Sequence, residues 1–109
     1  MSDCIFCKIV NGDIPAALVG ETEKSLAFRD ITPRQPLHIL VIPKSHHANV
    51  ADLSLNDPES LVDLMQLGSR LASELTTGHF RFTFNTGEKA GQTVFHAHGH
   101  ITSTEPVNA

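Results

Sequence analysis

Positive charge is scarce in this 109-residue chain, with eight lysines and arginines against twelve acids and a formal net charge of −4. That balance leaves no basic footprint for a nucleic acid or an anionic membrane, so any phosphate-bearing ligand has to be held by local geometry. Small phosphorylated molecules fit such a surface better than polymers. No apolar run is long enough to span a bilayer, and Asp3 and Lys8 interrupt the first ten residues, so neither a signal peptide nor a membrane anchor is expected and the default location is cytoplasmic. Internal repeats and low-complexity linkers are missing too. With 40% hydrophobic residues, the chain is long enough for one modest core and too short for two, so a single domain over residues 1–109 is expected. Cysteine occurs twice only, in Cys4-Ile5-Phe6-Cys7. In a cytosolic chain that spacing means metal, redox chemistry or coincidence more often than a structural disulfide. Redox is the weaker option, because the pair opens the chain instead of joining a strand to a long helix, and half a zinc site would need two further ligands.

Histidine, in contrast, is plentiful at seven residues. Three of them alternate in Gln92-Thr93-Val94-Phe95-His96-Ala97-His98-Gly99-His100-Ile101-Thr102. In a strand, alternate side chains share a face at steps of roughly 7 Å, so the spacing predicts His96, His98 and His100 in one row above Val94, with Phe95, Ala97, Gly99 and Ile101 behind. A helix would turn His98 away from its neighbours, and Thr93, Val94, Ile101, Thr102 and Gly99 disfavour one. Such a row is either a chelating or merely polar face or a catalytic one. Gly91-Gln92-Thr93 ahead of it, a turn offering backbone N–H groups and a hydroxyl to an anion, favours catalysis.

Along the chain, residues 4–10 predict a short helix ended by Asn11-Gly12-Asp13. Residues 17–21 and 25–30 predict a hairpin with Thr22-Glu23-Lys24 as its loop. Asp30 then opens a proline-bearing loop, as a turn residue or as a presented carboxylate. Residues 37–43, Leu-His-Ile-Leu-Val-Ile-Pro, predict a strand buried on both faces, which makes His38 a buried imidazole in need of a partner. His46 and His47 leave that strand for the surface. From Asp57 the period changes to 3.6, predicting one long helix capped by Asn56 or Asp57, with Pro58 in its first turn, a core stripe of Leu61, Leu64, Met65, Gly68, Leu71, Ala72 and Leu75, and Gly78 as its stop. Gly68 in mid-helix suggests the close approach of another backbone. Residues 81–84 predict a further strand, antiparallel to the histidine strand, and His79 before it is expected to be exposed and idle. The order suggests an α+β fold on a mainly antiparallel sheet.

Cys4-Ile5-Phe6-Cys7-Lys8-Ile9-Val10-Asn11-Gly12-Asp13-Ile14-Pro15, Ala27-Phe28-Arg29-Asp30-Ile31, His38-Ile39-Leu40-Val41-Ile42-Pro43-Lys44 and Gly91-Gln92-Thr93-Val94-Phe95-His96-Ala97-His98-Gly99-His100 together resemble the histidine triad (HIT) superfamily, in its histidine-triad nucleotide-binding branch. The resemblance covers nearly the whole chain in one order. It implies a single HIT domain, a five-stranded antiparallel sheet with one long and one short helix, and a homodimer that continues the sheet. It further implies hydrolysis or transfer at the α-phosphorus of purine nucleoside 5′-monophosphate derivatives such as phosphoramidates and adenylates, through a nucleotidyl-histidine intermediate.

By the same resemblance His98 is the nucleophile, a role a neutral imidazole can fill near pH 7. His100 contacts the phosphate and the leaving group's bridging atom, while His96 and His38 set tautomers and relay a proton. Asn85, Gln92 and Thr93 form the hydrogen-bonding cradle, Asp30 accepts the ribose hydroxyls, and Ile5, Phe6, Ile9, Phe28, Ile31 and Leu40 line the base pocket. Bacterial-type members also hold a structural zinc, and the matching positions are Cys4, Cys7, His46 and His96, a sound tetrahedral set in which His96 serves metal before relay. Gly99 departs from the usual bulky residue, so a thinner rear face is expected behind His98 and His100. The chain closes on Glu105-Pro106-Val107-Asn108-Ala109 without the longer tail of some relatives. Three other readings compete: a nucleotide-binding interaction module with little turnover, a dinucleoside polyphosphate hydrolase, and a zinc hydrolase whose histidine row chelates a catalytic ion.

Overall fold

The structure is a computed structural model that describes residues 4–105. The four-residue end of the chain on which the tail comparison rests lies outside them. A five-stranded antiparallel sheet in the order β1-β2-β3-β5-β4 carries the fold: β1 (Leu18–Glu21), β2 (Ser25–Arg29), β3 (Leu37–Pro43), β4 (Arg81–Thr83) and β5 (Gly99–Ser103). Every residue of β3 is buried, as its unbroken apolar, β-branched run requires of a central strand covered on both faces. One face packs on helix α3 (Pro58–Leu75), where Leu64, Leu67, Leu71 and Ala72 meet Ile39, Val41 and Ile101. The other face meets helix α1 (Ile5–Val10), whose Phe6 joins Phe28, Leu40 and Ile42.

The long helix starts where its cap was expected. The Asp57 carboxylate accepts hydrogen bonds from the Ser60 backbone N–H and hydroxyl and from the Ser45 hydroxyl, which holds its pKa below the usual carboxylate range. Four expectations change. A second short helix, α2 (Val50–Asn56), precedes α3, capped by Asn49 accepting from the Asp52 N–H; at seven residues it is too brief to show a helical period. Helix α3 ends at Leu75, where Thr76 turns into extended backbone, and Gly78 takes φ +100° in the turn beyond. Leu67, not the half-exposed Met65, completes the buried stripe. Gly68 is approached by side chains and not by backbone, since a Cβ there would lie 2.7 Å from the Phe82 ring.

The rear of the histidine segment is full, not thin. A Cβ on Gly99 would lie 2.3 Å from Phe82 and 2.8 Å from Phe84, whose rings stack on each other. The missing side chain is therefore the space those rings occupy. Among the described residues, no helix is long and apolar enough to cross a membrane.

Candidate active site

The three alternating histidines do not form one row. Strand β5 begins only at Gly99, opposite Val41, so His96 and His98 precede it. The ladder has a physical end: β3 finishes in Pro43, which has no N–H to offer a partner. Residues 92–97 are instead pinned to the loop after β3. Ala97 N–H donates to the His47 carbonyl at 2.7 Å, and the Gln92 amide donates to the Ala48 and Val94 carbonyls while accepting from Gly87 N–H. Gln92 is buried and fully bonded, so it braces this segment and does not line the polar cavity beside His98 and His100.

That bend sends His96 one way and His98 with His100 the other. The imidazole of His96 donates from Nε2 to the Pro43 carbonyl at 2.8 Å, because a carbonyl can only accept. Its Nδ1 is therefore a bare lone pair, 3.4 Å from Cys4 Sγ, 3.6 Å from Cys7 Sγ and 3.2 Å from His46 Nδ1. Cys7 Sγ lies 3.3 Å from His46 Nδ1, and all four donor atoms fall within 4.8 Å of one another. Cys4 owes its place to the N-cap of α1, where its sulfur accepts from Cys7 N–H. The row cannot chelate a single ion, because its first member faces away from the other two.

His98 is oriented by the same logic. Its Nδ1–H donates to the His96 carbonyl at 2.8 Å, which leaves Nε2 unprotonated. The Phe6 ring packs edge-on against His98 at 5.1 Å between centroids, and burial holds this imidazole below its ordinary pKa. His38 and His100 form a second ordered pair. Arg34 N–H donates to His38 Nδ1 at 3.2 Å, so the proton of a neutral His38 sits on Nε2, 3.1 Å from His100 Nδ1 and 3.3 Å from Asp30 Oδ2. Accepting at Nδ1, His100 keeps its own proton on Nε2. Burial, aided by the neighbouring His98, His38 and Arg34, pushes the His100 imidazole down to about 4. Asp30, His38 and His100 are thus a hydrogen-bonded chain: the proton on His38 Nε2 occupies the position a metal ligand would need free.

Two cavities meet at Asp30. The larger, of about 430 Å³, is lined by Asp30, His38, Asn85, Thr93, His98 and His100 among the expected site residues. The smaller, of about 160 Å³, is apolar, and Ile5, Phe6, Ile9, Phe28, Ile31 and Leu40 all line it. Ile31 does so from an exposed edge, at 95% accessible. Asp30 Oδ1 accepts from the Thr32 N–H and hydroxyl, which fixes the carboxylate at the junction. Arg34, Arg81, Thr83 and Thr102 also line the larger cavity and carried no signal in the sequence. Arg81, Thr83 and Thr102 are placed by cross-strand register, Arg81 against Thr102 and Thr83 against His100, and Arg34 by the loop whose N–H meets His38, neither of which a single sequence displays.

An antiparallel sheet that presents three ordered imidazoles to a polar cavity beside an apolar one defines a class of protein. The HIT domain model matches residues 11–107, and the chain belongs to that family. It is 44% identical over 98 residues to adenosine 5′-monophosphoramidase hnt1 of Schizosaccharomyces pombe, covering 90% of this chain and 71% of that protein. A HIT family hydrolase from Clostridium thermocellum superposes with a TM-score of 0.88 at 36% identity, over 94% of this chain and 90% of that one. A histidine triad protein from Clostridium difficile superposes with a TM-score of 0.89 at 36% identity, over 100% of this chain and 96% of that one.

Proposed function

We propose that this chain is a hydrolase or transferase acting at the α-phosphorus of purine nucleoside 5′-monophosphate derivatives, phosphoramidates or adenylates, through a nucleotidyl-histidine on His98. The observation that carries the reading is the lock of His98 Nδ1–H on the His96 carbonyl, which presents a lone pair at Nε2 to the large cavity beside His100 Nε2–H. Attack forms the P–Nε2 bond as the bond from phosphorus to the leaving group breaks. The leaving group departs with the electron pair and takes its proton from solvent, since a neutral imidazole N–H is too weak an acid to surrender one. His100 Nε2–H meanwhile hydrogen-bonds the bridging atom, with His38 and Asp30 fixing its tautomer. Water then attacks the same phosphorus and loses its proton to solvent as the P–Nε2 bond breaks, so His98 recovers its lone pair and the nucleoside monophosphate is released. Thr93 and Asn85 hold phosphate oxygens, Asp30 accepts ribose hydroxyls, and the apolar cavity takes the base. The phosphoramidase name of the yeast relative supports this assignment of substrate class.

A structural zinc belongs to the same reading. Zinc–sulfur bonds of about 2.3 Å and zinc–nitrogen bonds of about 2.0 Å give tetrahedral edges of about 3.3–3.8 Å. The spacings Cys4–His96, Cys7–His96, Cys7–His46 and His46–His96 run from 3.2 to 3.6 Å and match that set. The ion would cross-link α1 to the loop that aims His98, and no reaction step passes through it. A second copy continuing the sheet completes the reading, with a solution mass twice the 11.8 kDa of one chain expected from light scattering.

The test is hydrolysis of adenosine 5′-phosphoramidate followed by release of AMP. Wild type is expected to turn over, and His98→Ala to lose about a thousandfold or more in kcat while binding AMP within about threefold of wild type. Nucleotide binding with no turnover of any phosphoramidate, adenylate or dinucleoside polyphosphate would instead make the chain a binding module.

A further inference from the structure

We propose that the β4 side of the large cavity, where Arg81 stands beyond His100 and Arg34 lines the same cavity from the loop before β3, is a leaving-group subsite for an anion, so that favoured substrates join the nucleotide to a group bearing its own phosphate or carboxylate. This rests on the nucleotidyl-transfer reading and deepens it.

Register places the residues. The Asp30 N–H donates to the His38 carbonyl, His38 pairs with Thr102, and Thr102 pairs with Arg81, so these four form one row across the sheet. The row spans three strand spacings, about 14 Å. At one end Asp30 borders the apolar cavity; at the other stands Arg81. His100 lies two residues from Thr102 on the same side of the sheet, and His98 two residues further from Arg81. A nucleoside seated at the Asp30 end with its phosphorus at His98 and His100 therefore leaves the Arg81 end for whatever departs. Room continues past it, since a second cavity of about 240 Å³ shares Gln35, Arg81 and Thr102 with the first.

Charge gives the subsite its selectivity. Among the described residues neither guanidinium has a carboxylate within salt-bridge distance, although acids outnumber bases in the chain. The one carboxylate lining the large cavity, Asp30, is already engaged by Thr32 and His38. Arg34 acts on the site itself, helping to depress the basicity of His100. A guanidinium beyond the bond to be broken and a second lining the same cavity, neither with a carboxylate partner among the described residues, favour a second anion there and do little for a neutral group.

The experiment compares two matched pairs of adenosine 5′-phosphoramidates. In one, the amine carries a carboxylate or the corresponding carboxamide; in the other, a phosphate monoester or the free alcohol. Wild type should favour the anionic member of at least one pair by about tenfold in kcat/KM at low salt, and raised salt should shrink the ratio. The pair with the larger ratio identifies the anion. In the Arg34→Gln, Arg81→Gln double variant, with its fold checked by thermal melting, the ratio should collapse toward one, and Arg81→Lys should keep part of it. A wild-type ratio near one on both pairs, or a ratio unmoved by the double variant, would overturn the subsite while hydrolysis of the neutral members upheld the underlying chemistry. If no member is hydrolysed, that chemistry fails, and the same ratios are read from dissociation constants, where equal values overturn the subsite.

Discussion

His98 shows how one hydrogen bond assigns a side chain its chemistry. A carbonyl fixes the proton on Nδ1, burial keeps the ring from gaining a second, and the remaining nitrogen is left nucleophilic. Burial holds the His98 imidazole below its ordinary pKa and displaces protonation of His100 to about 4, so kcat/KM is expected to stay level from neutral pH through the ordinary histidine range and to fall only at lower pH. A descending limb centred near 6.5 would contradict the burial of these imidazoles. Gly99 makes the opposite kind of contribution, since its missing side chain is where Phe82 and Phe84 sit. Gly99→Ala should therefore lower stability by about 1–3 kcal/mol in chemical denaturation, through overpacking. Which candidate residues would meet at the large cavity was legible from their spacing and from the blocks around them. The role of Gln92 was not, because its bonds run to Ala48 and Gly87, contacts that exist only once the bend has formed.

At the scale of elements, the helix start at Asp57 could be read from a side chain that caps and a proline in the first turn. Helix α2 could not, because two turns of Val50–Asn56 carry no period and depend on Asn49 and on packing against α3. Asp57 also receives the Ser45 hydroxyl, which ties the cap to the loop following β3. Asp57→Ala should cost about 1 kcal/mol through the lost cap, measured by urea unfolding. The sign of its pH linkage follows from its lowered pKa: the stabilisation is complete above the unfolded carboxylate's pKa and is lost as pH falls through the lower folded value. The row predicted for His96, His98 and His100 failed at this scale as well. Alternation specifies a shared face only while a ladder lasts, and Pro43 ends this one.

Across the whole molecule, the two faces of the sheet divide the work, α3 supplying the core and α1 with the post-β3 loop aiming the imidazoles. Both His96, in the metal-free chain, and His100 stay neutral to about 4 in the folded state, whereas unfolded histidines take up a proton near 6.5. The unfolded state then binds more protons between those values, so metal-free stability should decline as pH falls from about 6.5 toward 4. Chelation at neutral pH should lower the melting temperature of zinc-loaded protein and leave a Cys4→Ser, Cys7→Ser variant unchanged; equal melting curves for loaded and stripped wild type would remove the proposed metal.

The most direct measurement is rapid quenching of wild-type protein mixed with an adenosine 5′-phosphoramidate, followed by peptide mass spectrometry. The account predicts an adenylyl group on His98 that forms and decays at rates compatible with turnover. Turnover with no such adduct at any time, or the adduct on a different residue, would contradict it.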